Sequence, residues 1–275
     1  MVIPTAQPLV EARVRLVVFD WAGTVIDHGC RAPAAIFQAA FAEAGVPITE
    51  AEARAPMGLP KLDHIRAIGG AVQERWRAVH GTPFGEEEAR AVYARFLPMQ
   101  IAVVADYADV IPGAPEVVAD LRGRGIRIGS TTGYTRAIMD ACVAKAAAQG
   151  FAPDAMVCAG DMATGRPGPM MMFRLMIELD AYPPAAVVKV GDTPVDMQEG
   201  RNAGAWAIGV TDTGNEIGLT AAELAALPEA ERDQRRARAA RALIGAGAHQ
   251  VIRSVADLPT AIALIEARLA AGEKP

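Results

Sequence analysis

Cysteine is scarce in this chain: Cys30, Cys142 and Cys158 are the only three among 275 residues, and none forms a CxxC pair. So few thiols in so long a chain exclude a disulfide framework and suit a reducing, cytoplasmic setting. Long apolar runs are also missing, and the opening MVIPTAQPLVEAR has neither the basic start nor the apolar stretch of an export signal. A soluble protein with no membrane partner is expected. A basic excess is absent too: the net charge is −5, the wrong sign for an extended grip on a phosphate backbone, so nucleic acid is excluded as a partner. There is no internal repeat.

What remains is the composition of a globular protein, 52% apolar and 21% charged, outside the regime of disorder. At 275 residues the chain can bury a substantial core carrying an inserted domain. RLVVFD reads as a buried strand closed by Gly23: a short continuous apolar run rich in β-branched residues. Similar runs recur at 126–131, 155–160, 186–192 and 205–210, each after a helical-looking segment, with a last strand near 249–252. Strands alternating with helices predict a doubly wound α/β fold, a parallel sheet covered on both faces with its active site at the strands' carboxyl ends.

From about Gly29 to Asp109 the pattern changes to helix-like spacing of Ala, Glu, Arg and Leu. We expect a helical cap over residues 29–108, inserted into a catalytic core formed by 1–28 and 109–275. Gly45 and Gly69 are the expected helix stops in the cap. The Ala- and charge-rich stretch 220–247 reads as surface helices.

Four clusters fall in order after successive strands: Asp20-Trp21-Ala22, Ser130-Thr131-Thr132-Gly133, Gly165-Arg166-Pro167 and Asp192-Thr193-Pro194-Val195-Asp196. Their chemistry is complementary. A carboxylate at a strand end attacks phosphorus, hydroxyl and amide donors hold phosphate oxygens, a cation offsets charge, and further carboxylates hold Mg²⁺. Each residue alone has an ordinary explanation, Asp20 as a turn cap, Thr132 as a helix N-cap and Arg166 as a surface ion pair.

In order and spacing, the four clusters resemble the motifs of the haloacid dehalogenase superfamily of phosphotransferases. FDWAGT, the GC at Cys30, PMGLPK, GSTTGYT and VGDTPVDMQEGRNAG narrow the resemblance to its phosphonatase branch, which breaks carbon–phosphorus bonds. The resemblance implies Asp20 as nucleophile, Thr132 and Gly133 as phosphoryl-binding residues, Arg166 as the cation, and Mg²⁺ held by Asp20, the carbonyl of Ala22 and Asp192. Asp196 is expected in outer-shell support of the metal or as a cap of a helix beginning near Met197. The implied substrate is a small phosphonate bearing an aldehyde, and the implied assembly is a homodimer, through cap helices.

Ala22 stands where phosphatases of the superfamily carry an aspartate that protonates the leaving group. Without it, an ester-cleaving enzyme lacks its acid. Lys61 supplies an alternative, because an amine condensed with an aldehyde gives an imine that accepts the electrons of the breaking C–P bond. Pro60 suits a first helical position and puts Lys61 in the first turn, where the helix end favours the neutral amine; Asp63 opposes this. His64 either relays protons on the same helical face or is a buried, hydrogen-bonded structural residue. Tyr134 faces the substrate or merely packs, and Met57 and Cys30 border the site by resemblance but read independently as core packing.

Overall fold

The structure is a computed structural model and describes residues 13–275, so all but the last residue of the opening stretch lies outside it. Six strands make one sheet: β1 (Leu16–Phe19), β2 (Arg127–Thr135), β3 (Ala155–Ala159), β4 (Val187–Gly191), β5 (Trp206–Val210) and β6 (Gln250–Ile252). They are all parallel, in the order β3-β2-β1-β4-β5-β6. In β1 the alternation of side chains fills both faces at once. Val17 and Phe19 join the larger apolar cluster, while Leu16 and Val18 join the cluster on the opposite face.

Helices α6 (Ala114–Gly123), α7 (Arg136–Ala148) and α12 (Leu258–Ala270) supply the larger cluster, and α8 (Met170–Glu178) supplies Met171, Met172 and Leu175 to the other. Helix α9 (Pro194–Asn202) lies against β4 and β5. The charged stretch after β5 forms α10 (Ala221–Ala226) and α11 (Glu229–Gly245). Helix α12, after the last strand, is one that the motif pattern does not reach.

Between β1 and α6 the chain is helical only: α1 (Arg31–Glu43), α2 (Glu50–Arg54), α3 (Lys61–Ala71), α4 (Gln73–His80) and α5 (Glu86–Val104). These helices bury a separate apolar cluster that includes Phe37, Phe41, Ile65, Ile68, Trp76 and Phe96. No helix among the described residues is long and apolar enough to cross a membrane.

Three local expectations are corrected. Gly45 does end a helix, with φ +80 just after α1, but Gly69 lies inside α3 and stops nothing. It is glycine for packing, since a Cβ there would meet the Phe84 ring at 2.1 Å. Pro60 is the residue before the first turn of α3, so Lys61 itself takes the first helical position. Helix α9 begins at Pro194, not near Met197, because Thr193 and Asp196 close a reciprocal capping box three residues earlier than expected.

The two adjacent glycines of α3 predict opposite mutational effects. Gly69→Ala drives a methyl into Phe84 and should destabilise by about 1–3 kcal/mol. Gly70→Ala meets nothing within 4 Å and should stabilise by about 0.5–1 kcal/mol through helix propensity. Urea midpoints of the two variants check the difference in sign.

Candidate active site

Where β1 ends, Asp20 still donates its N–H to the Val190 carbonyl at 2.9 Å. The chain then wraps tightly, the Trp21 carbonyl accepting from the N–H groups of Thr24, Val25 and Ile26. The Trp21 indole donates to the Ser130 hydroxyl and ties this turn to β2. Gly23 (φ +83) lies against Asp192, whose Oδ2 a Cβ would meet at 2.1 Å. No residue with a side chain fits there. The turn thus sets the carboxylates of Asp20 and Asp192 close together, and oxygens of Asp20, Asp192 and Asp196 lie within 4.8 Å of one another, all buried.

Arg166 reaches this group from the loop after β3. Its Nη1 pairs with Asp20 Oδ1 at 2.7 Å and Asp196 Oδ1 at 2.9 Å, and its Nε lies 3.0 Å from Glu199 Oε2. Lys189, buried in β4, adds a second cation: its Nζ lies 3.1 Å from Asp196 Oδ1 and 3.0 Å from Glu199 Oε2. Thr131 accepts from Lys189 at 2.8 Å and donates to Glu199 at 2.8 Å. Two cations therefore balance Asp196 and Glu199. Asp196 spends its other oxygen on the Thr193 hydroxyl at 2.5 Å. Burial opposes its ionisation, but Arg166 and Lys189 hold its carboxyl below the ordinary value.

Asp20 and Asp192 are less well compensated. Burial, and then the charge of Asp196, raises Asp20, partly offset by Arg166 and Lys189. Burial followed by the charges of Asp20 and Asp196 pushes Asp192 well above the usual carboxylate range. Its Oδ2 accepts the N–H of Asn215 at 2.8 Å. Two adjacent buried carboxylates with oxygen donors and residual negative charge fit a hard divalent cation. The residues present suit such an ion.

Over these groups lies the turn between α2 and α3. Its contacts leave no space for a side chain at three glycines. A Cβ on Gly58 would be 2.4 Å from Thr193 Oγ1, one on Gly133 would be 2.8 Å from the Leu59 carbonyl, and one on Gly165 would be 2.6 Å from Pro60. The cap turn thus touches the second, third and fourth clusters. Beneath it is a cavity of about 20 Å³, room for one or two waters. Asp20, Ala22, Cys30, Met57, Lys61, Thr132, Gly133, Tyr134, Arg166 and Asp192 all line it. His64 and Asp196 do not.

Lys61 is 4% exposed. Its Nζ stands 4.8 Å from the centre of the Tyr134 ring and 5.5 Å from that of Phe37. Burial lowers its pKa to about 8; Arg166 acts in the same direction, and Cys30, Asp20 and Asp192 oppose it. Asp63, expected to favour the ammonium, pairs with Arg66 on the exposed side of α3. His64 is fully buried, its ring 3.8 Å from that of Phe37 and its Nε2 donating to the Ala53 carbonyl at 2.8 Å. Burial, and then Lys61, hold it well below its ordinary pKa, so the imidazole is neutral and its Nδ1 has no partner. Thr132 Oγ1 accepts the N–H of Tyr134 at 3.1 Å, and the helix N-cap is Thr135 instead. Lys189, Glu199 and Asn215 were not singled out by sequence, and Thr131 only as a member of the second cluster; a lysine inside the apolar run VVKVG was the available signal.

A family model of haloacid dehalogenase-like hydrolases matches residues 14–204. The chain belongs to that class of hydrolases. It is 48% identical over 264 residues to a phosphonoacetaldehyde hydrolase of Paraburkholderia xenovorans, covering 95% of this chain and 99% of that one. It is 45% identical to the enzyme of the same name from Syntrophobacter fumaroxidans, with 95% of each covered. A crystal structure of a phosphonoacetaldehyde hydrolase-like protein from Oleispira antarctica superposes with a TM-score of 0.95 at 39% identity, covering 99% of this chain and 100% of that one. Within its class, the chain is a member of the phosphonoacetaldehyde hydrolase family.

The charge arrangement predicts how a divalent cation acts on stability. A carboxyl whose folded pKa lies above its unfolded value opposes folding at neutral pH, and a bound cation removes that opposition. At about 100 times its dissociation constant, Mg²⁺ should raise the melting temperature by about 5–10 °C. Asp192→Asn should melt higher than the parent without metal and show little or no rise with it, as read by scanning calorimetry.

Proposed function

We propose that this chain hydrolyses the C–P bond of phosphonoacetaldehyde, releasing acetaldehyde and phosphate. The observation that carries the reading is that a buried lysine amine lines the same small cavity as Asp20 and Arg166, while alanine occupies the general-acid position.

In this reading residues 29–108 act as a cap over a core of 1–28 and 109–275, and the cap delivers Lys61. The neutral amine adds to the aldehyde carbon and, with loss of water, forms an imine. Asp20 then attacks phosphorus while the C–P electron pair moves into the protonated imine, giving an enamine and an aspartyl phosphate. Protonation of the enamine at carbon and hydrolysis free acetaldehyde and Lys61. Water attacks the aspartyl phosphate and releases phosphate.

Thr132 and Gly133 bind the phosphoryl oxygens, and Arg166 offsets charge on them and on Asp20. Tyr134, Met57 and Cys30 wall the aldehyde end. His64, one turn from Lys61, does not reach the cavity, and its burial and lowered pKa suit the structural role, its Nε2 holding the start of α3 to the Ala53 carbonyl. Asp20, Asp192 and the Ala22 carbonyl would hold Mg²⁺, with Asp196 in outer-shell support; an ion there would neutralise phosphonate oxygens and lower their repulsion of the nucleophile. Since Ala22 contributes only its backbone oxygen, its side chain is free to be small. A cavity this small admits substrate only after the cap opens and keeps bulk water from the imine once it shuts.

A cytoplasmic homodimer completes the proposal. All three cysteines are free and buried, as a reducing compartment allows. The dimer contact is proposed on the cap helices, where Val79 on α4 and Ile101 on α5 are exposed apolar residues.

Two measurements test the reading. Borohydride added with phosphonoacetaldehyde should reduce an adduct onto Lys61, detected by mass spectrometry; an unmodified Lys61 would refute the imine. Lys61→Arg should lose activity to background while keeping its affinity for tungstate. The trapping rate should climb with pH through about 8, because the reactive amine is the deprotonated form and its pKa is lowered to that value. At pH 7.5 about a quarter of the amine is then neutral, against roughly one part in a thousand for an ordinary lysine.

A further inference from the structure

Arg54 is the last residue of α2, seven positions before Lys61, and its side chain is only 13% exposed. Its guanidinium reaches beyond its own helix, to the entry turn of the cap and to the core. Nη1 donates to the Gly29 carbonyl at 2.9 Å and to Asn215 Oδ1 at 3.2 Å, with a longer contact to the Cys30 carbonyl at 3.4 Å. Nη2 donates to the Gly218 carbonyl at 3.1 Å. Only Nε stays on its own helix, 2.8 Å from Glu50. One side chain thus clamps the turn that leads from β1 into α1 and the loop that follows β5.

That loop is built into the reacting centre. Asn215 returns a bond from Nδ2 to the Arg54 carbonyl at 3.4 Å, while its backbone N–H holds Asp192 Oδ2 at 2.8 Å. Thr213 donates to the Gly23 carbonyl at 2.7 Å and accepts the Gly29 N–H at 2.7 Å. Neither Gly214 nor Gly218 has room for a side chain: a Cβ would lie 2.8 Å from Asp192 Cβ in the first case and 2.8 Å from Arg54 Cζ in the second. The contact is therefore tight at both ends.

We propose that Arg54, with Asn215, is the clasp that positions Lys61: it locks the cap turn in its shut place and ties that place to the Asp192 carboxylate. This rests on the reading of Lys61 as the imine-forming amine. A planar fork with acceptors on three chain segments fixes an angle as well as a distance, which a single ammonium does not, so lysine should be a poor replacement.

The test compares the parent chain with Arg54→Ala, Arg54→Lys and Asn215→Ala, all loaded with Mg²⁺, by borohydride trapping with phosphonoacetaldehyde at several pH values and by tungstate affinity. In Arg54→Ala the trapping rate should fall at least tenfold and its pH midpoint should move up from about 8 toward that of a free lysine, as a loosened cap lets water reach the amine. Tungstate affinity should stay within about twofold, because the phosphate pocket belongs to the core. Guanidinium ion should restore part of the rate in Arg54→Ala, and Arg54→Lys should remain impaired. Asn215→Ala, which keeps the backbone bond to Asp192, should fall about threefold and carries the test if Arg54→Ala does not fold. Parent-like rate and pH midpoint in Arg54→Ala, or in Asn215→Ala standing in for it, would overturn the clasp alone. Absence of trapping in the parent chain would overturn the imine reading and the clasp with it.

Discussion

A lysine ammonium resists burial, and Lys61 is held where water scarcely reaches it, with no carboxylate close enough to pair with it among the described residues. Moving its pKa from 10.5 to about 8 corresponds to about 3 kcal/mol against the charged form. That penalty on the ammonium is what makes a nucleophile of the amine near neutral pH. It depends on the cap turn being sealed on the core, so the fit of that seam sets how dry the amine is. Gly58, Gly133 and Gly165 are the points where the seam closes, each against an atom that a methyl would strike.

Below the seam the charges are divided into two sets. Arg166 and Lys189 neutralise Asp196 and Glu199 in a group with almost no contact with water, and this frame holds the guanidinium against Asp20. Buried ion pairs are weak sources of net stability. Their value here is placement: an arginine bound on three sides presents one nitrogen to Asp20 at a fixed distance. Asp20 and Asp192 keep negative charge left over, and that excess is what recommends the pair to a divalent cation.

Ala22 and Lys61 belong to one argument. An enzyme that expels an alkoxide needs a proton donor beside the nucleophile, whereas one that expels carbon needs a place for an electron pair. In the proposed reaction the methyl of Ala22 leaves the first need unmet, and the Lys61 amine, which lines the same cavity, meets the second. The loop after β5 links the two halves, since Asn215 touches both Asp192 and the helix that leads to Lys61.

Much of this was legible in the chain. Short β-branched runs marked the first five strands to within a few residues, because a strand buried on both faces has few alternatives to continuous apolar sequence. That Asp20, Asp192, Asp196 and Arg166 form one group, as the fold does bring them together, could be read because turns at strand ends are local, and their chemistry travels with a few adjacent positions. Less accessible were Gly69, which resembles a stop signal but serves as a slot for a ring fifteen residues away, and Asp63, whose charge the fold turns outward to Arg66. Nor does sequence reveal that Lys189 and Glu199 share partners with Arg166, or that Arg54 reaches the loop beyond β5. Sequence alone determined the fold class, the order of the four polar clusters and the alanine at position 22, all of which depend on neighbours along the chain. Tertiary structure alone decided how dry Lys61 is, which charges cancel and how tightly the cap seats, because burial and Coulomb energies depend on distances in space between residues far apart in the chain.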